Sequence, residues 1–234
     1  MTKPGIWRVA AITGYIQPNL GLRIVSRQNH MSDLMMATQN PGKQREFREL
    51  LAALVAQTGA QLLMPGQRGP ALDVAETGNS YADNASLKAV ALARVSGVPA
   101  LGDDSGVEVA ALGGAPGLYS ARFGGPGASD ADRRRKLLHE LSQAPTPRPA
   151  RFVCAIAVAL PDGQVRLFEG ECRGEIALAE SGQGGFGYDP LFYIPEYGAT
   201  MAALPPAVKN TISHRARAVQ AATPYLLQIF RTAT

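Results

Sequence analysis

An α/β fold is predicted by three features of the chain. Strand-like and helix-like segments alternate from residue 33 onward, two helices carry recognisable start and stop signals, and two β-rich runs flank a Pro-Asp-Gly turn. The 234 residues, 46% hydrophobic and 18% charged, suffice for a substantial core in one or two domains.

Taken in order, residues 1–32 are set aside as an N-terminal extension, poorly ordered or a wrongly assigned start. They have no clear period, and Met31 in "MSDLMMATQN" reads as a natural start. A transit peptide, here Ser-poor, and a genuine extra segment are the other readings. The remainder, 33–234, is read as one functional unit. An apolar strand breaks at Thr38-Gln-Asn-Pro-Gly and resumes as a helix with Asn40 as N-cap and Pro41 at the first position. Phe47, Leu50, Leu51, Leu54 and Val55 form its apolar stripe, and Gly59 ends it. A second helix starts at Ser80, spaced from Asp83 as in a capping box, with Leu87, Val90, Ala91 and Val95 as its apolar face and Gly97-Val-Pro99 as its stop. A strand then runs into "LGDDSGVEVAAL", placing Asp103 and Asp104 at its end. A glycine-rich loop follows, and Ser129 with Asp132 opens a third helix. The Pro-rich connector at 145–149 marks a lobe boundary. Beyond it come the hairpin "RFVCAIAVAL-PDG-QVRLFEGECRG", the loop-rich "GGFGYDPLFYIPEYG", and a C-terminal helix that Pro224 is expected to bend or interrupt.

Composition narrows the function. No run approaches the roughly 18 to 20 consecutive apolar residues of a membrane span. Cys154 and Cys172 are too few for a disulfide framework, which fits a reducing cytoplasm. The net charge of +4 is carried by Lys3, Arg8, Arg23 and Arg27 in an acid-free leader, leaving 19 basic and 19 acidic residues in the body. A neutral body argues against a nucleic-acid binder.

Four constellations remain. Lys43 sits in the first turn of a helix fed by a strand, where free backbone N–H groups and the helix dipole favour an anion; a solvated surface lysine is the plainer alternative. Asp103 and Asp104 stand beside Ser105, with Glu76 before the second helix. Strand alternation lets both aspartates face one site only if the backbone turns at Ser105-Gly106. Otherwise the stretch is an acidic turn without chemistry. Ser213 caps a helix whose first turn carries His214 and Arg215, with Lys209 nearby. "GGFGYDP" offers close backbone approach and a stacking face from Phe186 or Tyr188. Cations (Lys43, Lys88, Lys209, Arg215) beside carboxylates (Glu76, Asp103, Asp104) suit a polyphosphate bridged by Mg²⁺, with a carboxylate free to activate water. Asn84 and Lys88, four residues apart, share one helix face.

The ordered motifs "TQNPGK", "ETGNSYADNASLKA", "DDSGVEVAALGGAPGLYSARF", "GGFGYDPLF" and "KNTISHR" resemble the inosine/xanthosine triphosphate pyrophosphatase family, also called Ham1-like, from about Leu34 to the C-terminal helix. The resemblance implies an elongated mixed β-sheet flanked by helices, in two lobes with a central cleft, usually as a homodimer. It implies Mg²⁺-dependent hydrolysis of ITP, dITP and XTP to monophosphate and pyrophosphate. It further implies Asp104 as the proton acceptor, Glu76 and Asp104 as metal ligands, and Thr38, Gln39, Asn40, Pro41, Gly42, Lys43, Lys88 and Ser105 as contacts to phosphates and sugar. Phe186, Gly187, Tyr188, Asp189, Lys209, His214 and Arg215 would then form the base pocket. The chain departs from the family at "TMAALPPAVKN", where glutamates are common and where Pro205 and Pro206 are expected to replace helix with irregular backbone and shift Lys209. A nucleotide-sensing module that binds without hydrolysing is the rival reading; the carboxylates argue against it, since a pure anion binder gains nothing from them.

Overall fold

The computed structural model describes residues 33–67 and 74–231, so the N-terminal extension lies outside the described residues. The elements are β1 (Asp33–Met36), α1 (Pro41–Leu50), α2 (Ala52–Thr58), β2 (Gln61–Leu63), α3 (Tyr81–Ser96), β3 (Ala100–Val109), α4 (Asp130–Glu140), β4 (Pro149–Ala159), β5 (Val165–Ile176), β6 (Phe192–Ile194), β7 (Ala199–Thr200), α5 (Pro206–Ile212) and α6 (His214–Arg231). They build one mixed sheet of order β2-β1-β3-β4-β5-β6-β7, parallel from β2 to β3 and antiparallel beyond. This is the expected α/β architecture.

Most local signals behave as the sequence suggests. Asn40 accepts the Lys43 N–H at 3.0 Å to cap α1. Ser129 and Asp132 form a reciprocal capping box on α4, and Gly59 and Gly97 end α2 and α3 with left-handed φ. At Ser80 the hydroxyl accepts from Asp83 N–H, but the Asp83 carboxylate reaches back to Asn79 N–H, one residue early.

Several expectations are corrected. The first helix is two helices that meet at Leu51. The buried face of α3 is Ala85, Ala89, Leu92 and Ala93, whereas Leu87 and Val95 are exposed. The reason is close packing: a Cβ on Gly102 of β3 would lie 2.3 Å from the Ala85 carbonyl oxygen and 2.8 Å from the Ala89 nitrogen. Only a small-residue face can press that near a strand, whatever the hydrophobicity of the larger side chains. Pro206 does not dissolve the segment before Lys209; it occupies the first position of α5, where no N–H is required. Pro224 lies within α6, which continues uninterrupted to Arg231.

Strands β3, β4 and β5 are long enough to serve two cores. The starts of β3 and ends of β4 pack beneath α1, α2 and α6 on one face, through Leu34, Phe47, Leu101, Ile156 and Leu226, and beneath α3 on the other, through Met35, Ala89 and Ala157. Farther along, Val107, Val109, Phe152, Leu137 and Phe192 form a separate core with α4 and β6. Between the cores β3 turns polar at Asp103-Asp104-Ser105-Gly106. The cleft lies there because the strand must cross from one core to the other.

Candidate active site

The polar middle of β3 is not a strand end. Asp103 to Gly106 remain in unbroken antiparallel register with Ile156 to Val153, and no turn occurs at Ser105-Gly106. The alternation rule therefore decides the outcome, and the two aspartates serve opposite faces.

On the α3 face, Asp104 Oδ2 accepts from Asn84 Nδ2 at 3.0 Å, while Asn84 Oδ1 accepts from Gly78 N–H at 2.8 Å. The tight Gly102 packing brings Asn84 and Lys88 to this point. Lys88 Nζ lies 3.0 Å from Glu76 Oε1 and 3.8 Å from Asp104 Oδ1, bridging the two carboxylates. Burial lifts the Asp104 carboxyl above its ordinary value, outweighing Lys88 and Lys43. Burial also raises Glu76, but Lys88, Lys43 and Arg122 overcome it and hold that carboxyl below its ordinary value.

On the opposite face, Asp103 is 1% exposed and pairs with Lys43 Nζ at 2.8 Å and with Arg215 Nη2 at 3.4 Å. Arg215 also donates to Ser105 Oγ at 3.0 Å and to the Glu46 carboxylate. Glu46 in turn accepts Lys209 at 2.8 Å, and Lys209 reaches Asp189. The result is an alternating chain of charges, Lys43, Asp103, Arg215, Glu46, Lys209 and Asp189. A guanidinium this buried persists because both acids compensate its desolvation. Ser213 caps α6 through the Ala216 N–H. A Cβ on Gly170 of β5 would lie 2.2 Å from the His214 carbonyl oxygen, so α6 starts in close contact with the sheet. His214 stacks on Phe152 at 4.6 Å, and burial, reinforced by Arg215, Lys209 and Lys43, drives its pKa well below the ordinary value.

At the far end of the cleft, Phe186 lies over Arg215 and Lys209, 5.7 Å and 5.6 Å from its ring centre. Its ring abuts α1, where a Cβ on Gly42 would come within 2.6 Å of it. Tyr188 is 5% exposed, with its hydroxyl donating to the Ser120 carbonyl at 2.9 Å, so Phe186 is the freer stacking face.

These groups enclose a cavity of about 340 Å³. Its walls include Thr38, Gln39, Asn40, Lys43, Glu76, Lys88, Asp104, Ser105, Phe186, Gly187, Tyr188, Asp189, His214 and Arg215. Pro41, Gly42 and Lys209 are not among the residues that line it. Lys209 is buried beneath Phe186, so it supports the pocket through Glu46 and Asp189. Sequence reasoning missed Glu46, Asp130 and Arg133, which also line the cavity. Glu46 follows Lys43 by three residues and so shares its helix face, a signal that could have found it.

A divalent cation fits this donor set in a specific way. Among the described residues no three His, Cys, Asp or Glu side chains converge as a protein-only cage. Glu76 and Asp104 do offer hard oxygens on either side of a cationic Lys88, and Mg²⁺ commonly takes one or two carboxylates plus substrate phosphates and water.

Comparison with known proteins agrees with this architecture. A family model described as the Ham1 family matches residues 34–225. The chain is 50% identical over 190 residues to a dITP/XTP pyrophosphatase of Geobacillus kaustophilus, covering 81% of this chain and 91% of that protein. It is 47% identical over 198 residues to a dITP/XTP pyrophosphatase of Desulforamulus reducens, covering 84% and 96% respectively. Among solved structures, a HAM1 protein from Coxiella burnetii superposes with a TM-score of 0.74 at 38% identity, covering 84% of this chain and 98% of the other. The Staphylococcus aureus Ham1 protein gives 0.74 at 37% identity, with 84% and 99% covered.

Proposed function

The chain belongs to the Ham1 family, and on that premise we propose that it is a nucleoside-triphosphate pyrophosphatase that clears non-standard purine nucleotides. It hydrolyses dITP, ITP and XTP to the monophosphate and pyrophosphate, as a cytoplasmic homodimer. No helix among the described residues is long and apolar enough to cross a membrane.

The observation that carries the reading is the meeting of Glu76, Lys88, Asn84 and Asp104 on one cleft wall, opposite Lys43 and Ser105. Glu76 and Asp104 would hold Mg²⁺, which supplies charge neutralisation for the phosphates. Lys43 and Lys88 each stand next to a carboxylate and bind phosphate oxygens when nucleotide enters. Asp104, which burial has made more basic than a free aspartate, accepts the proton from the attacking water; a P–O bond to that water forms as the α–β anhydride bond breaks and pyrophosphate leaves. Asn84 donates to the same carboxylate and fixes its orientation. Phe186 stacks on the base. Hypoxanthine and xanthine present a 6-keto acceptor where adenine carries an amine, so donors there leave adenine's amine unpaired, at a loss of about 1–3 kcal/mol.

Pyrophosphate release from dITP, ITP, XTP, ATP and GTP, with and without Mg²⁺, tests this directly. Metal-dependent release is expected, strongest from the keto purines lacking guanine's 2-amino group and much slower from GTP and ATP. Nucleotide binding with no release would favour the sensing module instead.

A further inference from the structure

The base end of the cleft depends on one turn of chain, Phe186 to Asp189, in which each residue is anchored differently. Phe186 N–H donates to Asp189 Oδ2 at 2.9 Å, the Tyr188 hydroxyl is fixed on Ser120, and Asp189 is fixed by Lys209. Among the described residues, the peptide groups of Gly187, between Phe186 and Tyr188, are held by α4. Its N–H donates to Asp130 Oδ2 at 2.8 Å, and its carbonyl accepts from Arg134 Nη1 at 2.8 Å.

Gly187 has φ of 61°, in the left-handed region that glycine enters freely, and it has no side chain of its own to restrict the backbone there. The orientation of its peptide groups is therefore set from outside. The two grips are themselves braced: Asp130 pairs with Arg133, and Arg134 Nε lies 3.0 Å from Glu180. Burial acts to raise the Asp130 carboxyl, but Arg133, the Gly187 N–H and Arg134 bring it below its ordinary value, so the bond to Gly187 is charge-assisted.

We infer that Asp130 and Arg134 are positioning residues for base selectivity: together they clamp both faces of Gly187, fix the neighbouring Phe186 ring against Gly42, and so set the width of the slot that receives the base. Neither residue acts on the phosphates. The inference rests on the pyrophosphatase reading above, and it extends the specificity site into the second core, where α4 is rooted through Leu137.

A merely structural tie between α4 and the loop would alter stability alone, so the test uses readouts that stability does not move. Steady-state kinetics on dITP and dGTP should be compared for wild type, Asp130→Ala, Asp130→Asn and Arg134→Met, with Arg135→Ala as the control, since Arg135 pairs with Asp132 on the exposed side of α4. Asp130→Ala and Arg134→Met are expected to raise the KM for dITP about tenfold, leave kcat within about twofold, and shrink the preference for dITP over dGTP. Asp130→Asn keeps an oxygen that can accept from Gly187 N–H and should restore most of the loss. The capping box at Ser129 and Asp132 is untouched, so α4 should survive in every variant. Amide hydrogen exchange across 183–190 should quicken in Asp130→Ala and Arg134→Met, but not in Arg135→Ala. Folded Asp130→Ala with wild-type KM, selectivity and exchange would overturn the clamp. If wild type released no pyrophosphate from dITP, the functional reading would fall, and the exchange comparison would still decide whether α4 holds the loop.

Discussion

Asp103 and Asp104 are adjacent in the chain yet face opposite sides of β3, one toward Lys43 and Arg215 and the other toward Asn84 and Lys88. Their substitutions should therefore separate stability from chemistry. Asp103→Asn leaves two cations short of a buried partner and is expected to cost about 3–5 kcal/mol, measured by urea unfolding. Asp104→Asn relieves a desolvated carboxylate, so its unfolding midpoint should stay near wild type while kcat falls at least about 100-fold. Near-full turnover by folded Asp104→Asn would remove Asp104 from the role of base.

Gly42 gives a test of the aromatic slot from the opposite wall. At an ordinary helical position near the start of α1, alanine would be favoured by up to about 1 kcal/mol. Here its Cβ would come within 2.6 Å of two Phe186 ring atoms. Gly42→Ala should leave the melting temperature unchanged or slightly higher, yet raise the KM for dITP several-fold because the ring must shift. An unchanged KM would mean that Phe186 does not meet the base.

Much of this site was legible because its residues obey short-range rules. Asn40, Ser129 and Ser213 cap their helices as their spacing suggests, and those caps deliver Lys43, Asp130 and Arg215. What could not be read depended on tertiary proximity. The alanine face of α3 is chosen by the closeness of Gly102, a strand residue that the helix sequence does not contain. The middle of β3 looked like a strand end because two aspartates and a glycine usually stop a strand; it continues because β4 pairs with it throughout. Glu46 shares a helix face with Lys43, but its role could not be read from that alone, since its two partners lie more than 160 residues further along the chain. Pro205 and Pro206 show the converse: judged as helix breakers, they instead form the start of α5, the helix that carries Lys209.

The two cysteines should be chemically silent in the folded protein. Burial pushes the Cys154 thiol up to about 12 and the Cys172 thiol up to about 11, and both side chains are buried. Since the thiolate is the reactive form, labelling by a disulfide reagent at pH 8 should be slow in native buffer and reach two thiols per chain in denaturant. Rapid native labelling of Cys154 would mean that the core beneath α6 opens far more readily than its packing implies.

His214 should make the protein acid-sensitive before most carboxylates titrate. It is buried against Phe152, with Arg215, Lys209 and Lys43 all disfavouring a further positive charge and Asp103 acting more weakly in the other direction. Its folded pKa is therefore well below the ordinary 6.5, and the unfolded chain binds the proton first. Stability from this residue is fully present above about pH 6.5 and is lost progressively as pH falls toward the folded pKa. The loss between pH 7.5 and 5.5 should be of order 1 kcal/mol, seen as a falling melting temperature. His214→Gln removes the titration and should flatten that slope, even if it lowers stability at pH 7.5 by giving up the stack on Phe152. A variant with the same slope as wild type would show that some other group governs stability in this range, and that His214 is not held neutral by the cations around it.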